Sequence, residues 1–164
     1  MYIALESLFN GGVTRLPVDG EFDFSEEELD GVFPFTTPVS VRGEIRNVVG
    51  VVTIEANATF SLEVFCDRCA EPVKLDFDIP MVHGLVSSLN EDDNDDYILV
   101  EDMKLDLLQL TLEDIFLALP AKFLCKEDCK GVCTKCGANL NTDSCSCKKD
   151  IDPRLEALLG FMED

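Results

Sequence analysis

The feature that most constrains this chain is a cluster of cysteines towards its C-terminus. Six of the eight cysteines lie between Cys125 and Cys147, and the other two belong to the unit Cys66-Asp67-Arg68-Cys69. The cluster contains a second unit of the same spacing, Cys133-Thr134-Lys135-Cys136. A Cys-x-x-Cys turn places two sulfur atoms on one side of a short loop, where one tetrahedral ion can bind both. Gly137 directly follows the second unit and suits the positive φ that often ends such a turn.

A cross-link must hold the cysteine-rich segment, because the residues between its cysteines are mostly Lys, Glu, Asp, Gly, Thr, Ser and Asn. Buried free thiols alone would leave too little apolar surface for folding. The cross-link is either metal or a set of disulfides, and the cellular compartment distinguishes them. The stretch Met1–Glu6 has neither the basic region nor the apolar run of a signal peptide. We therefore expect a cytoplasmic protein whose cysteines bind metal.

The spacing of the cysteines favours two metal sites with four sulfur ligands each. The gap between Cys136 and Cys145 is short enough for a ribbon-like loop to return on itself. The predicted ligands of the first site are Cys133, Cys136, Cys145 and Cys147. Those of the second are Cys66, Cys69, Cys125 and Cys129. Zinc is the default ion for four thiolates, one or two ions in all, and iron in the same cage is the chemical alternative. Such a cage leaves no open position for water, so the metal is expected to be structural.

The chain is strongly acidic, with a net charge of −20. Residues 120–154 carry seven basic and five acidic side chains, so they hold +2 and the remainder of the chain holds −22. An acidic body repels the phosphates of nucleic acid. The charge favours a basic protein as partner, although acidity that only maintains solubility fits equally well.

Alternation of apolar and polar residues between Val39 and Val86 predicts antiparallel strands, with Cys66–Cys69 at the tip of a hairpin. The best helix spans about residues 105–119, with Asp106 as its cap. Its predicted packing stripe consists of Leu108, Leu112, Ile115 and Leu119. The expected fold is α+β: an antiparallel sheet or open barrel-like meander packed by one main helix. Residues 1–119 form this domain, and residues 120–164 form a cysteine-rich zinc-knuckle segment with a short terminal helix.

Four smaller predictions complete the outline of the chain. The sequence predicts two strands around a glycine turn, at Tyr2–Phe9 and Val13–Val18. A helical turn is predicted at Ser25–Asp30, with Ser25 as its N-cap. The acidic run Glu91–Asp96 lacks the glycine and the final glutamate of a calcium loop, so we expect a solvated loop. The apolar stretch Leu105–Leu124 contains several charges, so no membrane span is expected.

Signs of catalysis are weak, and we expect neither an enzyme nor a small-molecule substrate. The chain contains no nucleophile-elbow or phosphate-loop glycine pattern. Its one histidine, His83, lies in a β region and is expected to be a hydrogen-bonded sheet residue rather than a general base. A thiol oxidoreductase built on Cys66 and Cys69 would need a thioredoxin-like setting rather than a hairpin tip. Asp67 between these thiols is also expected to raise their pKa.

The order of these parts resembles the YceD family of large ribosomal RNA subunit accumulation proteins. The matching segments are Cys66–Cys69, Glu113–Pro120, Cys129–Gly137, Asn139–Asn141, Cys145–Cys147 and Ile151–Leu155. The resemblance covers about residues 39–161. It implies a cytosolic bacterial protein, with plastid relatives, that is needed for normal accumulation of large-subunit (23S) ribosomal RNA. It supplies no catalytic residue.

Two functions remain open on these grounds. The first is a ribosome-biogenesis factor that binds a basic ribosomal protein, precursor large-subunit rRNA, or both. The second is a zinc-dependent redox or metal-sensing module, in which thiolate oxidation or metal loss unfolds the C-terminal segment.

Overall fold

A curled five-stranded sheet dominates the computed structural model, which describes residues 1–29, 31–88 and 97–147. The elements in chain order are β1 (Tyr2–Ala4), α1 (Glu6–Phe9), β2 (Arg15–Phe22), β3 (Val39–Val48), β4 (Val51–Phe65), β5 (Pro72–Val86), β6 (Tyr97–Leu99), a 3₁₀ turn (Glu101–Met103), β7 (Lys104–Asp106) and α2 (Leu107–Ala118). The main sheet has the order β2-β3-β4-β5-β6, and all its pairs are antiparallel except β5 with β6. The predicted α+β class is confirmed.

Strand β4 forms the centre of the sheet and follows the predicted alternation along its length. Its inward side chains are all at most 6% exposed: Val52, Ile54, Ala56, Ala58, Phe60, Leu62 and Val64. They line one face of the sheet because successive side chains of a strand point to opposite faces. The hairpin of β4 and β5 ends with the pair Phe65 and Pro72, so Cys66–Cys69 does lie at its tip.

Strands β3 and β4 approach each other closely at Gly43. This residue pairs with Ala56, and a Cβ atom at Gly43 would lie 2.2 Å from the carbonyl oxygen of Glu55. Only glycine fits at this distance, since real Cβ atoms do not approach a backbone oxygen so closely. The close approach lets the two strands cross tightly around the apolar core.

Helix α2 begins where predicted, and its packed face includes the predicted Leu112, Ile115 and Leu119 but not Leu108. The Asp106 side chain accepts hydrogen bonds from the backbone N–H groups of Leu108 and Gln109. The buried residues of the helix are Leu107, Leu110, Thr111 and Ile115. Leu108, from the predicted stripe, is 37% exposed, and Leu117 is 85% exposed. The helix is apolar on nearly every side, so periodicity alone could not select the face that packs on the sheet.

The N-terminal region also differs from the sequence expectation. Tyr2–Phe9 is not one strand: β1 pairs with β7 in a separate two-stranded sheet, and α1 follows directly. The helical turn brings Leu5 and Leu8, three residues apart, onto one face, and both are fully buried. The second predicted strand does form, as β2.

The predicted helical turn at Ser25–Asp30 is wrong over the part of it that the structure describes. Residues 25–29 contain a turn and an isolated bridge but no helix. The Asp23 carboxylate accepts the backbone N–H of Ser25 at 2.9 Å, which stabilises a turn at this point. Neighbouring Phe24 is 2% exposed, so the chain must turn here to keep that ring in the core.

Two predictions fall outside the described residues: the loop Glu91–Asp96 and the terminal helix that starts at Asp152. The boundary between residues 119 and 120 remains a prediction as well. Among the described helices, none has both the length and the apolar character needed to cross a membrane.

Candidate metal centres

The structure brings the eight cysteines together in the two groups of four that the spacing favours. We call Cys66, Cys69, Cys125 and Cys129 the hairpin centre, and Cys133, Cys136, Cys145 and Cys147 the tail centre. Within each group all sulfur atoms lie within 4.8 Å of one another. The Sγ atoms of Cys66 and Cys129 are 3.8 Å apart, and those of Cys69 and Cys125 are 3.6 Å apart.

These distances suit a tetrahedral metal ion and not a disulfide. A zinc–sulfur bond of about 2.3 Å places tetrahedral ligand sulfurs about 3.8 Å apart. A disulfide requires a sulfur–sulfur distance of about 2.05 Å. The donor set of each group therefore fits zinc, and the same four sulfurs could also hold iron. Metal ligation by the eight cysteines itself stays a prediction.

The two Cys-x-x-Cys units share one backbone geometry. In the first, the Cys66 N–H donates to Glu71 O at 2.9 Å, and the Ala70 N–H donates to Cys66 O at 2.8 Å. In the second, the Cys133 N–H donates to Ala138 O and the Gly137 N–H donates to Cys133 O, both at 2.8 Å. The residue after each unit has a positive φ, which is 57° at Ala70 and 73° at Gly137. The prediction for Gly137 is thus confirmed.

The first sulfur of each unit is prepared to be a thiolate. Burial of Cys66 favours its neutral form, but backbone N–H groups of Cys125, Arg68 and Cys69 hydrogen-bond the sulfur and lower its pKa to about 6. The backbone N–H groups of Cys136 and Lys135 lower the pKa of Cys133 to about 6 in the same way. Hydrogen bonds to the charged form stabilise it.

Other sulfurs in each group keep their protons. Removal of its sulfur from water, together with hydrogen bonds to neighbouring cysteines, raises the pKa of Cys125 to about 12, although the residue as a whole is exposed. A hydrogen bond to Cys136, together with burial, raises the pKa of Cys147 to about 12. Like charges held so close cannot all form without a cation. A divalent ion would displace the remaining protons, because a coordinating thiol is deprotonated outright.

The expectation that Asp67 raises the pKa of the adjacent thiols is wrong for Cys66. The Asp67 carboxylate instead accepts the backbone N–H of Phe123 at 2.6 Å, and the Asp67 N–H donates to Phe123 O at 2.8 Å. It is not among the groups that set the pKa of Cys66 or Cys69. Asp67 therefore joins the hairpin tip to the chain that leads into the cysteine-rich segment.

The hairpin centre connects the sheet to the cysteine-rich segment. Cys66 and Cys69 come from the β4–β5 tip, and together with Cys129 they are at most 5% exposed. Arg68 strengthens the junction: its guanidinium donates to Cys129 O at 2.9 Å, and its carbonyl accepts the Val132 N–H at 3.0 Å. An ion in this centre would thus cross-link two distant parts of the chain.

Two asparagines that sequence reasoning gave no role connect the two centres. Asn141 lies in the loop of the tail centre, yet its amide Nδ2 donates to Cys129 Sγ of the hairpin centre at 3.3 Å. Its Oδ1 accepts the Lys130 N–H at 2.9 Å. The Oδ1 atom of Asn139 accepts the Asn141 N–H at 3.0 Å. Its Nδ2 atom donates to Glu71, beside the hairpin tip, at 3.1 Å. The only signal in the sequence was their place within the segment Asn139–Asn141 that carries the family resemblance.

His83 is a bonded residue of the sheet, as expected. Its Nε2 lies 2.7 Å from Asp114 Oδ2. The histidine belongs to β5 and the aspartate to α2, and both side chains are largely buried. This contact joins the helix to the sheet.

Comparisons of the sequence with known proteins point to one family. Residues 54–162 match the model of the family described as "Large ribosomal RNA subunit accumulation protein YceD". An uncharacterised protein of Mycobacterium tuberculosis is 30% identical over 101 residues, which cover 59% of this chain and 49% of the relative. The "Large ribosomal RNA subunit accumulation protein YCED homolog 1, chloroplastic" of Zea mays is 26% identical over 159 residues, which cover 77% of this chain and 54% of the relative. The chain spans about half the length of these curated relatives, and no solved structure matches it.

Proposed function

The chain belongs to the YceD family, and from this premise we propose that it is a non-catalytic factor in the biogenesis of the large ribosomal subunit. The family match is the observation that carries the proposal, because the family's description links it to accumulation of large-subunit ribosomal RNA. In this proposal the protein binds a ribosomal component and supports the accumulation of 23S rRNA in the cytoplasm. All eight cysteines are free, and the two sulfur distances of the hairpin centre are too long for disulfides, which supports a reducing compartment.

Zinc is the ion we assign to both centres, in a structural role. Four sulfur ligands complete a tetrahedral shell and leave no position for a reacting water. The lowered pKa values of Cys66 and Cys133 support ion binding, since the metal ligand is the thiolate. A structural zinc contributes roughly 10–16 kcal/mol of apparent binding free energy to the fold around it. The ions thereby give shape to a segment that has little apolar surface of its own.

A basic ribosomal protein is a better partner for this chain than naked rRNA. The described part of the cysteine-rich segment, residues 120–147, has four lysines and three acidic residues. Each zinc bound by four thiolates adds about −2, so even this segment is not cationic when loaded. Binding of RNA depends on neutralising its phosphates. A basic protein meets no such repulsion.

The test is deletion of residues 120–164 from the gene in cells that depend on this protein. We expect fewer mature large subunits, less 23S rRNA and an unchanged amount of the small subunit in sucrose-gradient profiles. The control is a chain with the conservative change Lys126→Arg, which keeps both centres. Normal subunit profiles in the deletion strain would contradict the proposal.

A redox or metal-sensing module is the second candidate. Its support is the exposure of Cys125, Cys136 and Cys147, which lets an oxidant or chelator reach each centre. Under this alternative the deletion strain keeps normal subunit profiles and loses only its response to oxidant or chelator.

A further inference from the structure

A groove lies at one edge of the main sheet, between β6, the 3₁₀ turn and the start of α2, and neither metal centre contributes to it. Its volume is about 500 Å³. Apolar side chains of Ile98, Leu105 and Leu110 line it, and Glu101, Asp102 and Glu113 stand among them. We call this the edge groove.

The edge groove is acidic. Four of its lining residues are carboxylates, and the one basic side chain among the residues that line it is Lys104. Asp106 is already engaged as the cap of α2, and Glu113 accepts a hydrogen bond from Gln109 at 2.7 Å. Glu101 and Asp102 are exposed. The groove thus presents negative charge beside apolar surface, which complements a peptide with both basic and apolar side chains.

The wall that carries these carboxylates has an unusual backbone. Asp102 and Met103 have φ values of 50° and 52°, in the left-handed region that side chains other than glycine rarely adopt. The Met103 carbonyl accepts the Leu5 N–H at 2.8 Å, which ties this turn to the start of α1. Strained backbone of this kind persists when the surrounding structure enforces it, and it concentrates at binding sites.

Strand β6 gives the groove a backbone edge. It is the last strand of the main sheet on this side and pairs with β5 alone among the described residues. Tyr97 and Leu99 on this strand are 44% and 41% exposed. An extended peptide can add to such an edge through main-chain hydrogen bonds, while its side chains enter adjacent pockets.

We propose that the edge groove binds an extended segment of a partner protein rich in lysine or arginine alternating with apolar residues. This inference rests on the proposed function and deepens it, because it names the surface that would hold a basic ribosomal protein. Nucleic acid is a poor occupant, since the carboxylates would face its phosphates.

The experiment measures binding of a synthetic peptide of alternating lysine and leucine to the zinc-loaded full chain by fluorescence anisotropy. The test variant is Glu101→Lys with Glu113→Lys, and the matched control is Glu26→Lys with Glu28→Lys, which changes the net charge equally outside the groove. We expect the groove variant to weaken binding about tenfold and the control less than about twofold. Equal losses in both variants, or none in the groove variant, would overturn the proposal.

A milder variant separates lost binding from lost folding. Glu101→Gln with Glu113→Gln keeps the size of both side chains and should weaken binding about threefold with an unchanged Tm. Unchanged peptide affinity in this variant would contradict the proposal. Direct binding of a labelled short RNA oligonucleotide to the wild-type chain that the groove variant strengthens no more than the control variant would do so too.

The level of large ribosomal subunits in cells distinguishes this inference from the proposed function. If the groove acts in large-subunit biogenesis, the lysine variant lowers large-subunit levels as the deletion of residues 120–164 does. If the deletion lowers them and the lysine variant does not, the proposed function holds and the groove inference fails. If neither change affects subunit levels, the proposed function fails, and the groove inference falls with it.

Discussion

Ala70 and Gly137 occupy the same position in two equivalent cysteine turns, and they differ by one methyl group. Both have a positive φ and donate the same backbone hydrogen bond to the carbonyl of the first cysteine. An alanine in this region costs about 1–2 kcal/mol, while glycine gives back part of that in chain entropy. The hairpin tip therefore carries strain that the tail turn avoids.

Exchanging these two residues should change stability in opposite directions. Ala70→Gly should raise the Tm of the zinc-loaded chain by roughly 2–4 °C, which corresponds to about 1 kcal/mol. Gly137→Ala should lower it by a similar amount, because no atom lies within 4 Å of the added methyl and only backbone strain remains. Differential scanning calorimetry measures both. Shifts of the same sign in the two variants would count against this account.

Asn141 forms a hydrogen bond to one of the predicted metal ligands. Its amide donates to Cys129 Sγ, and this hydrogen bond lowers the pKa of that thiol more than any other contact does. Residues that orient metal ligands typically contribute 10–100-fold to metal affinity. Because the same residue belongs to the loop between Cys136 and Cys145, it should also make loading of one centre sensitive to the other.

We expect Asn141→Ala to weaken zinc binding at the hairpin centre by about 10–100-fold. Competition with a chromophoric chelator measures this in the chain with an intact tail centre, because the loop that carries Asn141 is expected to need that centre for its shape. Asn57→Ala is the matched control, since its amide bonds Asp78 on the outer face of the sheet. An affinity loss below about twofold would remove Asn141 from this role.

At the scale of elements, the sheet and the cysteine-rich segment are held by different forces. The main core consists of apolar side chains from the strands, the helices and the connecting segments, and Phe123 is one of them. A separate buried cluster contains Cys66, Cys69 and Cys129, with Val73 and Leu124 packed against it. The first is stabilised by burial of apolar area, and we expect the second to need an ion that neutralises its thiolates.

The close crossing of β3 and β4 makes Gly43 the most sensitive glycine of the sheet. Gly43→Ala should destabilise the chain by about 1–3 kcal/mol or more, because the added methyl meets rigid backbone of β4. Gly20→Ala on neighbouring β2 is the control, since its methyl would meet only the flexible end of Met1 and the ring edge of Phe22. Urea denaturation of both variants measures the difference. Equal stabilities would show that the strands can separate at this point.

For the whole molecule, the separation between the main core and the cysteine cluster predicts two structural units. We expect them to respond differently to loss of metal. The tip of β4–β5 and the residues around Cys129 are joined by Arg68, Asp67 and the sulfurs of the hairpin centre. Without the ion, the junction keeps only its hydrogen bonds, which include those of the charged Arg68 and Asp67 side chains. The main sheet keeps its own core in either case.

Removal of zinc by a strong chelator should therefore free residues 124–147 while the sheet, with Phe123 in its core, stays folded. Hydrogen exchange followed by mass spectrometry should show loss of protection in this segment and at the tip, with β3 and β4 still protected. Elemental analysis before treatment should give two zinc ions per chain. A metal-free chain with a protected cysteine-rich segment would contradict the assignment, and global unfolding would contradict the boundary near residue 119.

Sequence by itself determined strands β2 to β5, the start of α2 and the four cysteines of the tail centre. These features depend on local patterns: period-two alternation, a capping aspartate before an apolar helix, and the reach of short loops between cysteines. Tertiary structure alone decided that Leu107, Leu110 and Thr111 are buried while Leu108 stays exposed, because the helix is apolar on most sides. It also decided that Asp67 turns towards Phe123, that Asn141 reaches a sulfur of the other centre, and that an acidic groove forms beside β6. Each of these depends on residues far apart in the chain, whose approach no local pattern encodes.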